Sequence, residues 1–379
     1  MSINHKPTLL LLVTQSDLGG AQRYVLSLAQ AAREHFRVIV AAGADGGGWL
    51  LQKASSEGLE TFVLASLGRA IHPWRDARAI LECRRLLRNV KPDIVHANST
   101  KAGVLTSLAA AGWKQRPRIV YTAHGWIFLE PLPAWMRFVY RWIERLASYS
   151  RDAIIVLSKK EKEKAIRGHV ASSDKLFLIP NGVSLRAHDR EHARMLLTRA
   201  GVPRGATLLG CVANFYPVKN LPSLVRAFRN ITNENSPLHL VLIGDGSECS
   251  AIEDARQGDP RIHLLGYRPD VRALLDGCDL FVLPSLKEGF PFALLEAMEA
   301  SLPCLATDVG GIPEIIKDDV NGWLAKPNDL ERGLRRAISS RDRWPQMGRA
   351  ARESVLTSFT EEKMTSRTIA LYKKLLLSR

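Results

Sequence analysis

The chain has 379 residues, 46% hydrophobic and 24% charged, with 53 Lys and Arg against 38 Asp and Glu for a formal charge of +15. At ~150 residues per domain that length makes two to two and a half domains, enough to bury a large core without metal or disulfide staples. The composition excludes disorder, collagen-like repeats and a disulfide-rich scaffold, and the five scattered cysteines, none in CxxC or other metal-ligand spacing, read as reduced thiols of a cytosolic protein.

The first apolar run, Leu9 to Val13 behind Lys6, is too short for a secretory signal and reads as a buried strand. Arg37–Ala41, Glu60–Val63, Ile94–His96, Ile119–Thr122 and Ile154–Leu157 follow as strands. Helical patterns at Ala21–Glu34, Trp49–Glu57, Asp76–Asn89, Lys101–Ala111, Trp135–Tyr149 and Lys159–Arg167 separate them. The alternation then restarts. Leu208–Ala213, His239–Ile243, Ile262–Leu265, Leu280–Leu283 and Pro303–Thr307 read as strands, with helices at Leu221–Asn230, Ala251–Gln257, Val271–Leu275 and Pro291–Ala300. Two runs of alternating strand and helix predict two α/β domains, each a doubly wound parallel sheet, with a cleft between them. Domains of 1–185 and 186–360 are expected, with the junction near 181–205 and a last helix, about 361–379, able to pack back on the first. Nearly all the excess charge lies early: residues 1–180 hold 26 Lys and Arg against 14 Asp and Glu, which suits a polyanionic partner for that half. No run approaches the ~18 apolar residues of a membrane helix.

In open α/β sheets ligands bind outside the carboxyl ends of the strands, so the loops after strands carry the candidates. Gly19-Gly20-Ala21 opens a helix and is either a tight turn or a backbone N–H cradle for an anion. His96 and Asn98 end one strand; His124, in Thr122-Ala123-His124-Gly125-Trp126, ends another and is either a site residue or a satisfied structural histidine. From Pro133 to Ser150 one helix carries Trp135, Phe138, Val139, Trp142 and Leu146 on one face, with Arg137, Arg141 and Arg145 at i, i+4 spacing on another. That pattern fits an anionic bilayer interface, or a core-facing helix with a solvated basic side. Lys219, in the loop from Asn214, is placed to neutralise a phosphate or to be a surface lysine, and Gly244-Asp245-Gly246 repeats the anion-cradle pattern. The sharpest feature is Glu288-Gly289-Phe290-Pro291-Phe292-Ala293-Leu294-Leu295-Glu296. Pro291 suits a first helical position, and two carboxylates around one helix start can accept hydrogen bonds from vicinal sugar hydroxyls. A dipole-favoured acid plus a solvated glutamate is the plainer reading. DxD, HExxH, GxSxG and Walker A patterns are absent, which removes support for metalloprotease, serine-hydrolase and P-loop chemistry.

Glu288-x7-Glu296 with its internal Gly-Phe-Pro resembles the signature of family 4 retaining glycosyltransferases. Asp308-Val309-Gly310-Gly311-Ile312-Pro313-Glu314, Asn321-Gly322, Leu265-Gly266-Tyr267-Arg268, Asn181-Gly182-Val183 and Pro92-Asp93-Ile94-Val95-His96 extend the likeness over nearly the whole chain. Asn98-Ser99-Thr100-Lys101 and the His124 segment are similar to bacterial enzymes that build capsule, exopolysaccharide or lipopolysaccharide. The resemblance implies a GT-B fold, two Rossmann-like domains, and transfer from a nucleoside-diphosphate sugar, UDP- or GDP-linked, to a lipid-linked or polysaccharide acceptor. It implies no metal or other cofactor. Glu288 would bind the donor sugar's hydroxyls and Glu296 those of the ribose. Lys219, Gly19, Gly20 and the backbone of Phe290, Pro291 and Phe292 would hold the diphosphate. Gly244 and Gly246 would line the nucleotide pocket, Tyr267 and Arg268 lie near the base, and His124 orient the donor sugar. Asn214 stands where the family often has an arginine, and Ser301 where a small residue, often glycine, is usual. The acceptor and an anionic inner membrane surface are the expected partners, with no nucleic acid. Rival readings are a nucleotide-sugar epimerase of the same fold, a basic nucleic-acid-binding protein, and a catalytically silent scaffold.

Overall fold

The computed structural model describes residues 6–130, 132–233 and 236–378. The chain divides into two compact units, Met1–Asn181 with Glu362–Arg379, and Gly182–Glu361. The first is built on a seven-stranded sheet of β1 (Thr8–Val13), β2 (Arg37–Gly43), β3 (Glu60–Leu64), β4 (Ile94–Ala97), β5 (Arg118–Ala123), β6 (Ala153–Val156) and β7 (Leu176–Leu178). The second has six strands: β8 (Thr207–Val212), β9 (Leu238–Ile243), β10 (Ile262–Leu264), β11 (Leu280–Leu283), β12 (Cys304–Thr307) and β13 (Trp323–Ala325). Every pairing is parallel.

The helices of the first half are α1 (Gly20–Ala32), α2 (Trp49–Ser56), α3 (Pro73–Val90), α4 (Thr100–Ala109), α5 (Ala134–Ser148) and α6 (Lys159–Arg167). Those of the second are α7 (Arg190–Arg199), α8 (Leu221–Ile231), α9 (Cys249–Arg256), α10 (Val271–Leu275), α11 (Phe292–Glu299), α12 (Ile312–Ile315), α13 (Leu330–Ser339) and α14 (Trp344–Ser358), followed by α15 (Glu361–Leu377). Strand orders are β3-β2-β1-β4-β5-β6-β7 and β10-β9-β8-β11-β12-β13. Each order reverses once, between β1 and β4 in the first sheet and between β8 and β11 in the second. Right-handed crossovers then put α1 and α2 on one face of the first sheet and α3 to α6 on the other.

Strands covered on both faces read as unbroken apolar runs; β1 is buried over its whole length. Several elements have no counterpart in the expected order. β7 and β13 are three residues each, and α7 lies in the charged stretch taken for the junction, begun by Asp189 accepting from the His192 N–H at 2.9 Å. Helices α12, α13 and α14 likewise fill a region read as unassigned. The segment before α7 is locked to α10 and α11 by charge. Arg186 and His188 meet Asp276 at 2.6 and 2.8 Å, while His188 and Arg272 reach Glu299 at 3.0 and 3.1 Å.

From Glu362 onward α15 belongs to the first unit. Its Tyr372 hydroxyl is hydrogen-bonded to His96 Nδ1, and His96 Nε2 to Thr122 Oγ1 at 2.7 Å. The Tyr24 ring lies edge-on to both His96 and His124, at 6.0 and 5.0 Å. Burial pushes both imidazoles down, His96 to about 3 with the neighbouring His124 adding to the effect, and His124 to about 4. Both are therefore neutral in the folded chain near neutral pH.

Helix α5 is held from beneath by a buried ion pair. Arg151 donates to Glu144 at 2.6 Å, both side chains fully buried, and its guanidinium lies 4.0 Å from the Tyr121 ring centre. Removing one partner of such a pair leaves an uncompensated charge. Glu144→Ala is expected to cost about 3–5 kcal/mol, and Glu144→Leu with Arg151→Met to recover most of it. Urea unfolding of the single and double variants measures both. The histidines set a pH dependence. In the unfolded chain they titrate near ~6.5, so below that pH the unfolded state binds protons the folded state refuses. Stability present above ~6.5 is expected to fall on acidification by about 1.4 kcal/mol per pH unit for each histidine, ahead of the carboxylates near ~4. Urea unfolding between pH 7 and 4.5 tests this, with the slope reduced by about 1.4 kcal/mol per pH unit in His124→Gln.

Candidate functional site

The reversal of strand order between β8 and β11 leaves a crevice outside their carboxyl ends, the usual ligand position in such sheets. The loop after β8 carries Asn214 and Lys219; the loop after β11 carries Ser285 and Glu288. Across that point Lys219 Nζ lies 2.6 Å from Glu288 Oε1, and Ser285 Oγ donates to the same oxygen at 2.6 Å. Glu288 is largely buried and Lys219 partly so. Backbone bonds stitch the two loops: Leu286 N–H to the Val218 carbonyl at 2.8 Å, with Asn220 Nδ2 reaching the Pro284 carbonyl at 3.3 Å. The loop after β12 closes on them through Thr307 Oγ1 to the Ser285 carbonyl, and the Gly311 N–H to the Gly289 carbonyl at 3.0 Å. Gly310 has φ +55°, and a Cβ there would stand 1.6 Å from the Glu288 carbonyl oxygen, so no side chain fits.

Helix α11 starts from this stitched edge. Pro291 is its N-cap (φ −72°, ψ 123°) and Phe292 its first residue, which corrects the expectation that Pro291 opens the helix. No side chain caps the terminus, so the first-turn N–H groups and the positive end of the helix dipole are offered to an anion. Phe290 is buried and packs edge-on to Phe359 at 5.3 Å, which anchors the loop. Glu296 is buried rather than solvated; Arg272 Nε lies 3.7 Å from it while Arg272 Nη2 holds Glu299. At the end of α11, Ser301 takes a left-handed φ of +61°, the conformation glycine prefers.

The loop after β9 packs on the loop after β8. Phe215 N–H donates to the Asp245 carbonyl at 2.7 Å and Gly244 N–H to the Gly266 carbonyl at 2.9 Å. Gly244 has φ +146°, and a Cβ would stand 1.8 Å from the Ala213 carbonyl oxygen; a Cβ on Gly246 would stand 2.6 Å from the Phe215 carbonyl oxygen. Asn214 is exposed, Tyr267 is 54% exposed, and Arg268 is paired with Asp270 at 2.6 Å. Among the described residues no three His, Cys, Asp or Glu side chains gather as a metal site.

In the first unit the corresponding reversal lies between β1 and β4. Thr14, just past β1, is hydrogen-bonded to Ser99, which caps α4 after β4. Gly19, extended at φ −161°, is the N-cap of α1, and Gly20 is exposed at its start. His124 follows β5; its Nε2 is buried and without a hydrogen-bond partner. Tyr24 and Tyr372, which surround the two histidines, carry no motif that sequence reading could use. Trp135 and Trp142 of α5 are 69% and 43% exposed, with Arg137 and Arg141 beside them and Arg145 stacked over Trp142 at 5.0 Å. No helix of the described residues is long and apolar enough to cross a membrane.

Two family descriptions match the chain: Glycosyltransferase Family 4 over residues 18–187 and Glycosyl transferases group 1 over residues 206–340. A UDP-Gal:α-D-GlcNAc-diphosphoundecaprenol α-1,3-galactosyltransferase of Escherichia coli is 31% identical over 285 residues, 73% of each chain. The capsular polysaccharide biosynthesis glycosyltransferase CapM of Staphylococcus aureus is 22% identical, over 81% of this chain and 83% of its own. Anabaena HepE, solved with UDP and glucose, superposes with a TM-score of 0.81 at 19% identity, covering 97% of this chain and all of its own. With this fold, these matched segments and that level of identity, the chain belongs to glycosyltransferase family 4, on the GT-B architecture.

Proposed function

We propose that this glycosyltransferase of bacterial surface-glycan synthesis moves a hexose, with retention and without a metal, from a nucleoside-diphosphate sugar. The acceptor is a lipid-linked glycan or polysaccharide at the cytoplasmic face of the membrane. The observation that carries the reading is the Lys219–Glu288 pair at the β8/β11 reversal, beside the uncapped start of α11. An ammonium group and free helix N–H groups suit a diphosphate, and a buried carboxylate suits sugar hydroxyls. The E. coli relative is named for a UDP-sugar donor and a diphosphoundecaprenol-linked acceptor, which supports the same classes here.

In the proposed reaction the bond from the sugar's anomeric carbon to the diphosphate oxygen breaks as the acceptor oxygen bonds to that carbon on the same face. The acceptor proton passes to the departing phosphate oxygen. Negative charge grows on the leaving group, and Lys219 with the α11 N-terminus stabilises it where it forms. Donor binding turns Lys219 toward phosphate and leaves Glu288 to accept from the sugar hydroxyls. Glu296 takes the ribose hydroxyls, with Arg272, itself held by Glu299, beside it. In the first unit His124 is neutral and its Nε2 unpaired, which suits that nitrogen to a hydrogen bond with a sugar hydroxyl.

Thermal unfolding against UDP, GDP, ADP and their sugars, with EDTA present, tests the donor site. One nucleotide family at 100 times its dissociation constant should stabilise by about 2.7 kcal/mol, and Glu296→Ala should abolish the effect. No shift with any nucleotide would favour the silent scaffold. Conversion of the donor without acceptor would favour the epimerase, and an inverted anomeric product would end the retaining assignment. Lys219→Ala is expected to lower kcat by a factor of about 10²–10³, the usual loss for one oxyanion donor, with little change in the melting temperature.

A further inference from the structure

The first unit carries two rows of exposed side chains whose ring and guanidinium contacts stay local, Phe138 with Trp142 at 6.0 Å and Arg88 with Trp113 at 5.6 Å. On α5, Trp135, Phe138, Trp142, Leu146 and Tyr149 recur at i, i+3, i+7, i+11 and i+14, and all are exposed, Trp135 by 69% and Leu146 by 63%. The helix is turned inside out: its buried positions are Glu144, Ala147 and Ser148, and the Glu144–Arg151 pair holds it so. On α3, Trp74, Arg78, Leu81, Arg85 and Arg88 form a second exposed stripe, with Trp74 79% and Leu81 55% exposed. Helix α4, largely buried, packs between α3 and α5 on the same face of the sheet.

The outward charge of these stripes is of one sign. Arg78, Arg85, Arg88, Arg137 and Arg141 are exposed. The acids of α3 and α5 are engaged elsewhere: Asp76 with Lys101 at 2.6 Å, Glu82 with Ser66, Glu144 with Arg151. Arg141 and Arg145 lie over the rings of Phe138 and Trp142 at 5.6 and 5.0 Å. A second copy of this chain docked here about a two-fold axis would set arginines against arginines. An anionic bilayer meets both demands, since indoles settle at the headgroup level and arginines pair with phosphates.

We infer that α3 and α5 together form a docking surface for an anionic lipid bilayer, with Trp74 and Trp135 as its paired anchors. Each tryptophan is the second residue of its helix. Both helices start where a strand ends, so both indoles sit at the carboxyl edge of the seven-stranded sheet, the edge that carries His124. The bilayer surface thus meets the unit where a lipid-borne acceptor has to present its sugar. The inference rests on the lipid-linked acceptor proposed above and names the surface that receives it.

Co-sedimentation of the full chain with mixed phosphatidylcholine–phosphatidylglycerol vesicles, against pure phosphatidylcholine, tests it without any sugar present. Binding is expected only to the anionic vesicles. Arg78→Gln/Arg85→Gln/Arg88→Gln and Arg137→Gln/Arg141→Gln/Arg145→Gln should each lower the partition coefficient on the order of a hundredfold, from ~1 kcal/mol per basic residue. Trp74→Ser/Leu81→Ser should weaken binding as well, while thermal stabilisation by the donor nucleotide stays at its wild-type value in all three. Wild-type vesicle binding by the α3 variants would overturn the two-helix surface. A dimer in light scattering that dissociates in Trp135→Ser would assign the face to a second copy. Vesicle binding lost in the variants of a chain that transfers no sugar would uphold the surface and sink the catalytic reading alone.

Discussion

Parallel strands impose a constraint from which the rest of both units follows. Neighbouring strands that run the same way must be joined by crossovers, so every strand ends at one edge and every crossover helix begins there. Where the winding changes direction, two adjacent crossovers lie on opposite faces and their loops part. In the second sheet that point lies between β8 and β11. It brings Lys219 and Glu288, 69 positions apart in the chain, within 2.6 Å. The same edge gathers the positive ends of helices, so an anion meets lysine, backbone N–H groups and helix dipole together.

Burial of charge organises what surrounds that edge. An ion pair taken out of water gains little net stability, and its value lies in what it forbids. Arg272 of α10, shared between Glu296 and Glu299 of α11, also donates to Ser184 and so ties both carboxylates to the segment that carries Arg186 and His188. Glu144 and Arg151 do the same for α5: with a polar side committed inward, the aromatic side has nowhere to go but out. An amphipathic helix ordinarily turns its apolar face to the core, and this one is reversed by a single buried charge partner.

The fold was legible wherever a strand is covered on both faces, because Leu9–Val13 or Leu280–Leu283 admit no other reading. The three-residue strands β7 and β13 were not, nor was α7, whose few apolar positions lie within a charged stretch. The loops of the candidate site were legible one at a time, from glycines and charged residues that follow strands. Their association was not, since the Lys219–Glu288 contact depends on sheet order rather than on anything near either residue. Sequence periodicity likewise found both faces of α5 but not which one turns outward; that was decided by Arg151, beyond the helix. The exposed stripe of α3 escaped because arginines alternate with its apolar residues.

The placement of α15 bears on how the chain comes into being. Its Tyr372 fills the space beside Phe36 and His96 in the first unit, although the whole second unit is encoded between them. On a ribosome adding ~5–20 residues per second, the first unit emerges roughly 10–35 s before the helix that completes it. Through that interval the buried side of its sheet near His96 lacks its cover, while the second unit, Gly182–Glu361, is contiguous and needs no later segment. The later-made unit is therefore the one able to finish first, and vectorial synthesis runs against the order of domains in the chain.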